Sequence, residues 1–218
     1  ADMILNGTNL VTNGDFSNGT TGWSANFADL SVVNGEMIVT LTENNVSSGI
    51  HRFNTDIPAG NKFYASADIF TTYAGAVKIG FLNNFDTKSV PAGQYNKISA
   101  LRSMGEYNIF TIYHDTTGAY VIGDTFKIKN ALLIDLTATF GKGNEPTVEQ
   151  MDEIMSKFEN SWFDGTKNIF HASETLKKQI AIDARTEFDA KNGVTNGDFS
   201  NGTNGWTPHD STLSVTNN

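Results

Sequence analysis

Histidines and pairs of acidic residues, the side chains that most often catalyse reactions or bind metals, are scattered in this sequence. His51, His114, His171 and His209 stand far apart, whereas metal sites need ligands at short, regular spacings. The segment Gly141-Lys142-Gly143 is rich in glycine, but it lacks the Gly-Lys-Ser/Thr ending that binds nucleotide phosphates. No pair of Asp or Glu residues has a setting that indicates general acid–base chemistry. The sequence therefore predicts a protein that is not an enzyme.

The composition excludes several further classes. The 218-residue chain has a formal net charge of −9 and contains no cysteine. Because phosphate neutralisation and anionic membranes both require basic surfaces, we expect no nucleic-acid binding and no membrane association. No apolar run approaches the roughly 20 residues of a membrane span. The low content of charged residues and the 15 phenylalanines favour an all-β domain with polar loops.

A long internal repeat organises the chain. Residues 13–20 (NGDFSNGT) recur letter for letter as residues 196–203, and Trp206 follows Trp23 at the same offset of 183 positions. A period of this length is a whole domain with its connection, because solenoid units have only roughly 20–50 residues. The predicted parts are a domain at 1–140, a connector at 141–191 and the start of a second, truncated copy at 192–218.

Short segments that alternate between apolar and polar residues fill the first 136 positions. In residues 62–72, Phe63 and Ile69 belong to one face and Tyr64 and Phe70 to the other, which is typical of a strand with one buried face. Asn34-Gly35 predicts a hairpin turn. Strands are predicted at 37–41, 62–72, 77–82, 95–104, 107–114 and 126–136. Regularly spaced strands of this kind predict a mainly β fold, a sandwich of two sheets.

The periodicity changes after Gly141. Thr147 and Gln150 fit a capping box at the start of a helix. An apolar stripe with spacings of three and four follows, and it predicts a helix of about four turns. Its members are Val148, Met151, Met155, Phe158 and Trp162. A second helix is predicted after Ser173, although residues 179–188 also alternate as a strand would.

Two segments resemble known families. Residues 9–16 (NLVTNGDF), followed by Gly22-Trp23, resemble the opening of jelly-roll carbohydrate-binding modules of families 4 and 9. Residues 133–147 (LIDLTATFGKGNEPT), with Gln150-Met151, resemble a segment of tail and minor structural proteins of phages and prophages of Gram-positive bacteria. The first resemblance implies a jelly roll over residues 9–136, with the Trp where the two sheets meet. The second implies a virion tail or extracellular location and host-surface glycan as ligand.

The resemblance also implies a type of binding site. Jelly-roll modules stack aromatic rings on sugar rings and surround them with polar side chains. The candidate carbohydrate-binding residues are Tyr64, Phe70, Tyr107, Tyr113, Tyr95, Asn84 and Arg102. Tyr64 and Phe70 share one strand face, and Tyr107 and Tyr113 share another. The alternative is that these aromatic rings fill the core of the sandwich or stiffen its loops.

A structural calcium ion is the second ligand that the resemblance implies. Modules of this type often bind Ca²⁺ between the first strand and the last, and such an ion takes 6–8 oxygen ligands. Asp15 and Asp135 stand at the matching positions. After the opening aromatic residue the family often has a Glu, and this sequence has Ser17 in its place. The alternative is that Asp15 stabilises only the turn that follows Asn13-Gly14.

These observations together predict a mainly β protein, a jelly-roll β-sandwich followed by an α-helical connector. As a non-catalytic repeated module of a phage tail fibre or related appendage, it would bind cell-surface or cell-wall polysaccharide. Repetition and homo-oligomerisation, with a trimer as one form, would multiply weak binding. Two alternatives stay open: a structural spacer or filament subunit without a ligand, and an accessory module of a secreted glycoside hydrolase.

Overall fold

The computed structural model describes residues 4–54 and 57–171, together with Thr203 and Thr207. Eleven strands, two α-helices and a final strand follow one another along the described ranges: β1 (Ile4–Thr8), β2 (Ser24–Asn26), β3 (Ala28–Val33), β4 (Glu36–Leu41), β5 (Ser48–Phe53), β6 (Lys62–Thr71), β7 (Gly75–Phe81), β8 (Asn84–Val90), β9 (Tyr95–Ser103), β10 (Ile109–His114), β11 (Thr125–Asp135), α1 (Leu136–Phe140), α2 (Val148–Met155) and β12 (Thr166–His171). None of the helices in these ranges is long and apolar enough to cross a membrane.

Two five-stranded antiparallel sheets form the body of the molecule. Sheet I has the order β2-β5-β10-β7-β8, and sheet II has the order β3-β4-β11-β6-β9. From β4 to β11 the chain crosses between the sheets at every connection except the β7–β8 hairpin. As a result β4 pairs with β11 in one sheet and β5 pairs with β10 in the other. This double wrapping is the jelly-roll topology, which confirms the predicted fold class.

The alternating patterns explain why these segments are strands. On β6, Phe63 and Ile69 are fully buried between the sheets, as their period of two predicts. All six predicted strands are present, with ends within two residues of the predicted ones. The sequence analysis did not predict the other six strands of the described ranges, β1, β2, β3, β5, β8 and β12. These are either short strands or strands with several polar residues, so their alternation is weak.

The apolar core lies between the two sheets, and the opening segment seals one end of it. Trp23 is 7% exposed, and its ring centroid lies 5.7 Å from that of Phe16 and 6.2 Å from that of Phe110. The Arg52 guanidinium lies over the Trp23 ring at 5.4 Å. Trp23 thus occupies the place between the sheets that the family resemblance implies.

The helices cover part of the outer surface of sheet II. Helix α2 starts at the predicted capping box, because Thr147 and Gln150 satisfy each other's backbone amides. The helix ends at Met155, so the prediction of about four turns is wrong. The chain leaves the helical conformation by Phe158, whose φ and ψ of −97° and 146° are extended, and Asn160 and Ser161 then take positive φ angles of 55° and 50°. The remaining residues of the stripe pack against sheet II from an irregular segment instead.

The segment predicted as a helical connector also contains a strand. Strand β12 falls within residues 141–191 and pairs with β1 in an antiparallel two-stranded sheet, with Ile4 opposite His171. The first and last strands of the described domain are therefore neighbours. The predicted helix after Ser173 and the start of the second copy lie outside the described ranges.

His114 is an ionisable side chain in the apolar interior. It is fully buried, its Nε2 lies 3.2 Å from the Tyr120 hydroxyl, and its ring lies 5.3 Å from that of Phe126. Burial lowers the pKa of His114 below its ordinary value, and the backbone and carboxylate of Asp115 only partly oppose this. The folded protein therefore holds His114 in the neutral form at neutral pH.

This burial predicts acid sensitivity. In the unfolded chain the histidine binds a proton at a pKa near 6.5, so the unfolded state binds more protons than the folded state below that pH. We expect the free energy of unfolding to be unaffected by this group above pH 6.5 and to fall with decreasing pH below it. Urea titrations at pH 7.5 and pH 5.5 should show this loss, and His114→Gln should reduce it. An equal loss in the variant would contradict the assignment.

Candidate functional site

The predicted carbohydrate-binding residues do not lie on one surface. Tyr64 is fully buried beneath helix α2, and its hydroxyl donates a hydrogen bond of 2.6 Å to Asp152. Burial, and then Asp152, raise the pKa of Tyr64. Helix α2 prevents Tyr64 from stacking on a ligand. Its prediction as a carbohydrate-binding residue is therefore corrected, because Tyr64 packs in an apolar cluster between sheet II and helix α2, which includes Leu132 and Met151.

Asn84 and Arg102 hold the β8–β9 edge of the sandwich together. The Arg102 guanidinium forms an ion pair with Asp86, which links β9 of sheet II to β8 of sheet I. The Asn84 amide donates a hydrogen bond of 2.7 Å to the carbonyl of Ser103. Both side chains therefore have partners within the scaffold, and neither lies among the predicted aromatic residues.

Of the four remaining aromatic residues, three lie on the two outer surfaces and one lies in a loop. Phe70 and Tyr95 are direct partners across β6 and β9 on the outer surface of sheet II. Tyr113 lies on the outer surface of sheet I, where it is 5% exposed. Tyr107 is 38% exposed and precedes β10, so it stands in a loop and not in the predicted strand.

A row of residues crosses all five strands on the outer surface of sheet I. Ser24, His51, Thr111, Gly80 and Phe85 follow one another as register partners from β2 to β8. In the next row towards the other end of the strands, Tyr113 lies between Gly49 and Lys78. We call the surface formed by His51, Phe53, Phe85, Thr111 and Tyr113 the sheet I face.

Aromatic rings surround His51 on this face. The His51 ring meets the rings of Phe53 and Tyr113 edge-on, with centroid distances of 5.9 Å and 6.4 Å. Phe53 is 64% exposed, which is unusual for a large apolar side chain on a sheet. Lys78 lies over the ring of Phe85 at 5.2 Å and donates a hydrogen bond of 2.8 Å to the carbonyl of Val46.

Two polar atoms at the centre of the face lack hydrogen-bond partners among the described residues. They are Nδ1 of His51 and Oγ1 of Thr111, both shielded from solvent, and their residues face each other directly across β5 and β10. A buried polar group without a partner costs about 1–3 kcal/mol, so such atoms are rare in folded proteins. Their adjacency suits a ligand that both donates and accepts hydrogen bonds.

Burial fixes the protonation states on the sheet I face. Desolvation lowers the pKa of His51, so the imidazole is neutral at neutral pH and one ring nitrogen can accept a hydrogen bond. Burial raises the pKa of Tyr113 to about 12, so its hydroxyl stays protonated. The centre of the face is therefore uncharged, aromatic and able to form hydrogen bonds, with the Lys78 ammonium at its margin.

The sequence analysis missed His51, Phe53 and Thr111. Strand β5 was not predicted, because its residues Ser48 to His51 contain a glycine and a serine beside one buried isoleucine. The alternation of His51 and Phe53 with Ile50 and Arg52 was the signal from which this strand could have been predicted. Thr111 lay within a predicted strand, but nothing in the sequence showed that its hydroxyl has no partner.

The two predicted calcium ligands have separate local roles. The Asp15 carboxylate accepts hydrogen bonds from the backbone amide and the hydroxyl of Ser17. The Asp135 carboxylate caps helix α1 through the amide of Ala138 and accepts a hydrogen bond from Asn61. Within the described ranges no three His, Cys, Asp or Glu residues group together as metal ligands. Calcium binding at these positions stays a prediction.

Comparisons with known proteins give structural similarities only. No protein-family model matches the chain, and no curated protein matches it. The enzymatically active domain of tailspike protein 4 of bacteriophage CBA120 is similar over 58% of this chain and 21% of its own, with 13% identity and a TM-score of 0.43. A family 16 carbohydrate-binding module is similar over 57% of this chain and 99% of its own, with 15% identity and a TM-score of 0.42. The CBM22-2 xylan-binding domain of Paenibacillus barcinonensis Xyn10C is similar over 56% and 97%, with 15% identity and a TM-score of 0.41.

Proposed function

We propose that this protein binds glycan without catalysis, through the sheet I face. The observation that carries the proposal is the pair of unpartnered polar atoms, Nδ1 of His51 and Oγ1 of Thr111, between aromatic rings. A sugar offers what this surface lacks, because its hydroxyl groups both donate and accept hydrogen bonds and its C–H groups stack on aromatic rings.

A single sugar hydroxyl can serve both atoms of the pair. It accepts a hydrogen bond from the Thr111 hydroxyl and donates one to neutral His51. The Phe53 ring lies beside His51 with most of its surface in solvent, so it can rotate to open the pair and then cover the bound sugar. In this proposal the neutral centre of the face selects an uncharged part of the glycan.

We further propose that the domain serves as a repeated module of a phage tail fibre or related surface appendage. Support comes from the repeat at an offset of 183 positions and from the resemblance of residues 133–147 to phage tail proteins. Repetition and homo-oligomerisation multiply a weak single-site affinity when several modules reach the same polysaccharide. Host cell-wall or surface polysaccharide is the proposed partner.

A structural role in a filament is the second candidate, and a specific observation favours it. Phe53, Val121 and Ile122 are 64%, 61% and 69% exposed, and packing against a neighbouring subunit would remove this apolar surface from water. If Phe53 packs against a neighbouring subunit, Phe53→Ala should lower the mass of the particle measured by light scattering. Under the glycan proposal it should leave the mass unchanged and weaken binding.

Thr111→Val tests the glycan proposal directly. The change keeps the volume of the side chain and removes only the hydroxyl, which has no partner in the described structure. We expect stability to be unchanged or higher, and the affinity for glycan to fall roughly tenfold, as expected for the loss of a hydrogen bond to a buried site. Pulldown with Gram-positive cell walls and affinity electrophoresis in neutral polysaccharides measure this.

Thr40→Val is the matched control, because Thr40 lies on sheet II, away from the proposed site. This variant should bind as the wild type does. Equal binding by both variants would remove Thr111 from the site. Absence of binding to every polysaccharide and cell wall by the wild type would overturn the proposed function.

A further inference from the structure

The outer surface of sheet II carries a second cluster of aromatic and charged residues, beyond the area that helix α2 covers. Phe70 and Tyr95 are register partners, and their ring centroids lie 5.6 Å apart at an angle of 56°. Lys127 of β11 is the register partner of Phe70 on its other side. We call the surface formed by Phe70, Tyr95, Lys127 and Lys129 the lysine–aromatic face.

An ammonium group lies over each of the two rings. Lys127 Nζ is 5.6 Å from the centroid of Phe70, and Lys129 Nζ is 3.9 Å from the centroid of Tyr95. Because the two rings are neighbours, two positive charges are brought close together on one surface. Cation–π contacts stabilise each ammonium, but they do not neutralise its charge.

Of these two ammonium groups, only that of Lys127 forms an ion pair within 4.0 Å in the described part of the chain. Asp68 is nevertheless the register partner of Lys129 on β6, and Glu36 lies close enough for Lys129 to lower its pKa. Lys127 forms an ion pair of 3.0 Å with Glu36. The Tyr95 hydroxyl, followed by Lys127, lowers the pKa of Glu36, so this carboxylate stays ionised and paired with Lys127. Nearby Asp68 pairs with Lys97 at 3.7 Å and accepts a hydrogen bond from Asn130. Lys129 has no carboxylate within 4.0 Å among the residues described.

We propose that the lysine–aromatic face binds an acidic sugar, with the acid group on Lys129 and the sugar ring against Tyr95 and Phe70. An anion placed there relieves the repulsion between the two ammonium groups, which Glu36 neutralises only in part. Aromatic rings stack on the C–H groups of a sugar, and an ammonium forms strong hydrogen bonds with carboxylate or phosphate oxygens. The combination selects sugars that bear such an acid.

This second site differs from the sheet I face in chemistry and position. The sheet I face is neutral at its centre and lies on the opposite side of the sandwich, whereas the lysine–aromatic face presents the Lys129 ammonium, which forms no ion pair within 4.0 Å among the described residues. A polymer with both neutral and acidic units would therefore find a site on each outer surface. Binding at the lysine–aromatic face does not require binding at the sheet I face.

Polygalacturonate, a polymer of acidic sugars, is the probe, and its methyl ester is the uncharged counterpart. The variant is Lys129→Gln, and the matched control is Lys142→Gln, which removes the same charge from an exposed loop position. We expect Lys129→Gln to weaken binding of polygalacturonate roughly tenfold, as expected for the loss of a charge-assisted hydrogen bond. Lys142→Gln and Thr111→Val should bind polygalacturonate as the wild type does.

Three results would overturn the proposal. They are equal loss of binding in the Lys129→Gln and Lys142→Gln variants, equal binding of the methyl ester, and absence of binding of both polygalacturonate and a phosphomannan, a sugar polymer that bears phosphate, by the wild type. The two polymers also separate the carboxylate from the phosphate as the acid group. Loss of neutral-glycan binding in Thr111→Val with acidic binding intact supports two separate sites.

Discussion

Replacing Gly14 by alanine is expected to lower the free energy of unfolding by about 3 kcal/mol or more, through steric overlap and lost hydrogen bonds. A β-carbon at position 14 would overlap the carbonyl oxygen of Ala131 and lie 3.2 Å from the Trp162 indole nitrogen. The same carbonyl accepts a hydrogen bond of 2.9 Å from that nitrogen, and the Ala131 amide donates one of 2.8 Å to Gly14. The segments around Gly14 and Ala131 cannot move apart without breaking one of these hydrogen bonds.

Thermal and urea unfolding measure the effect, and a loss of this size lowers the midpoint by roughly 10 °C in a domain of this length. Gly118→Ala is the matched control, because nothing lies within 4 Å of the added methyl group and the backbone there is not in the left-handed region. It should unfold within experimental error of the wild type. If Gly14→Ala also did so, the close approach of the opening segment to β11 would not be what requires glycine.

The Gly14 contact gives a physical reason for part of the internal repeat. Gly197 stands at the equivalent place in the second copy, where the same close approach would require glycine. The sequence alone could locate this motif as the start of a fold, because the match is long and in register. It could not show which strand the glycine meets, since that depends on the pairing of segments more than a hundred residues apart.

The strands were predictable where burial on one face imposes a regular alternation. Phe63 and Ile69 of β6 and Phe126 and Ile128 of β11 show that alternation, and all four are buried. Strand β8 has exposed or half-buried residues at every position except Val90, so no apolar pattern marked it. The length of helix α2 was not predictable from its stripe, because Phe158 and Trp162 pack, half-buried, against the same apolar cluster without belonging to the helix.

The candidate site was predictable only in part, because a list of aromatic residues does not show which sheet surface is free. Tyr64 and Phe70 share a strand face, as their spacing indicates, but helix α2 covers Tyr64 and leaves Phe70 beside Tyr95. Which end of the strand the helix covers is a tertiary feature. The pairing of His51 with Thr111 joins strands β5 and β10 across sixty positions of sequence, and no local pattern encodes it.

Asn9→Ala is the second substitution with a large expected effect. Asn9 is 3% exposed, and its side chain joins three segments. Its oxygen accepts hydrogen bonds from the amides of Val11 (3.0 Å) and Leu133 (3.1 Å), and its nitrogen donates one to the carbonyl of Phe163 (3.0 Å). Alanine leaves these three backbone groups without this partner, which we expect to cost about 3–5 kcal/mol.

Urea titration measures the loss, with an unchanged slope as evidence that the folded state is otherwise preserved. Asn6→Ala, on the exposed part of β1, is the control and should change little. Asn9→Asp keeps the acceptor but buries a charged oxygen against the carbonyl of Phe163, so it should also destabilise the protein at neutral pH. Equal stability of Asn9→Ala and the wild type would show that this side chain does not hold the three segments together.

The location of Asn9 also predicts which region loosens first. Phe163 belongs to the segment that follows helix α2, and Leu133 belongs to β11, so the lost side chain weakens the attachment of the helical segment to sheet II. Hydrogen exchange in Asn9→Ala should therefore accelerate in α2 and around Phe163 more than in β5 and β10, which lie in the other sheet. Uniform acceleration would instead indicate that the sandwich and the helical segment unfold as one unit. Asn192 stands at the equivalent position in the repeat, and we expect it to have the same joining role in a complete second copy.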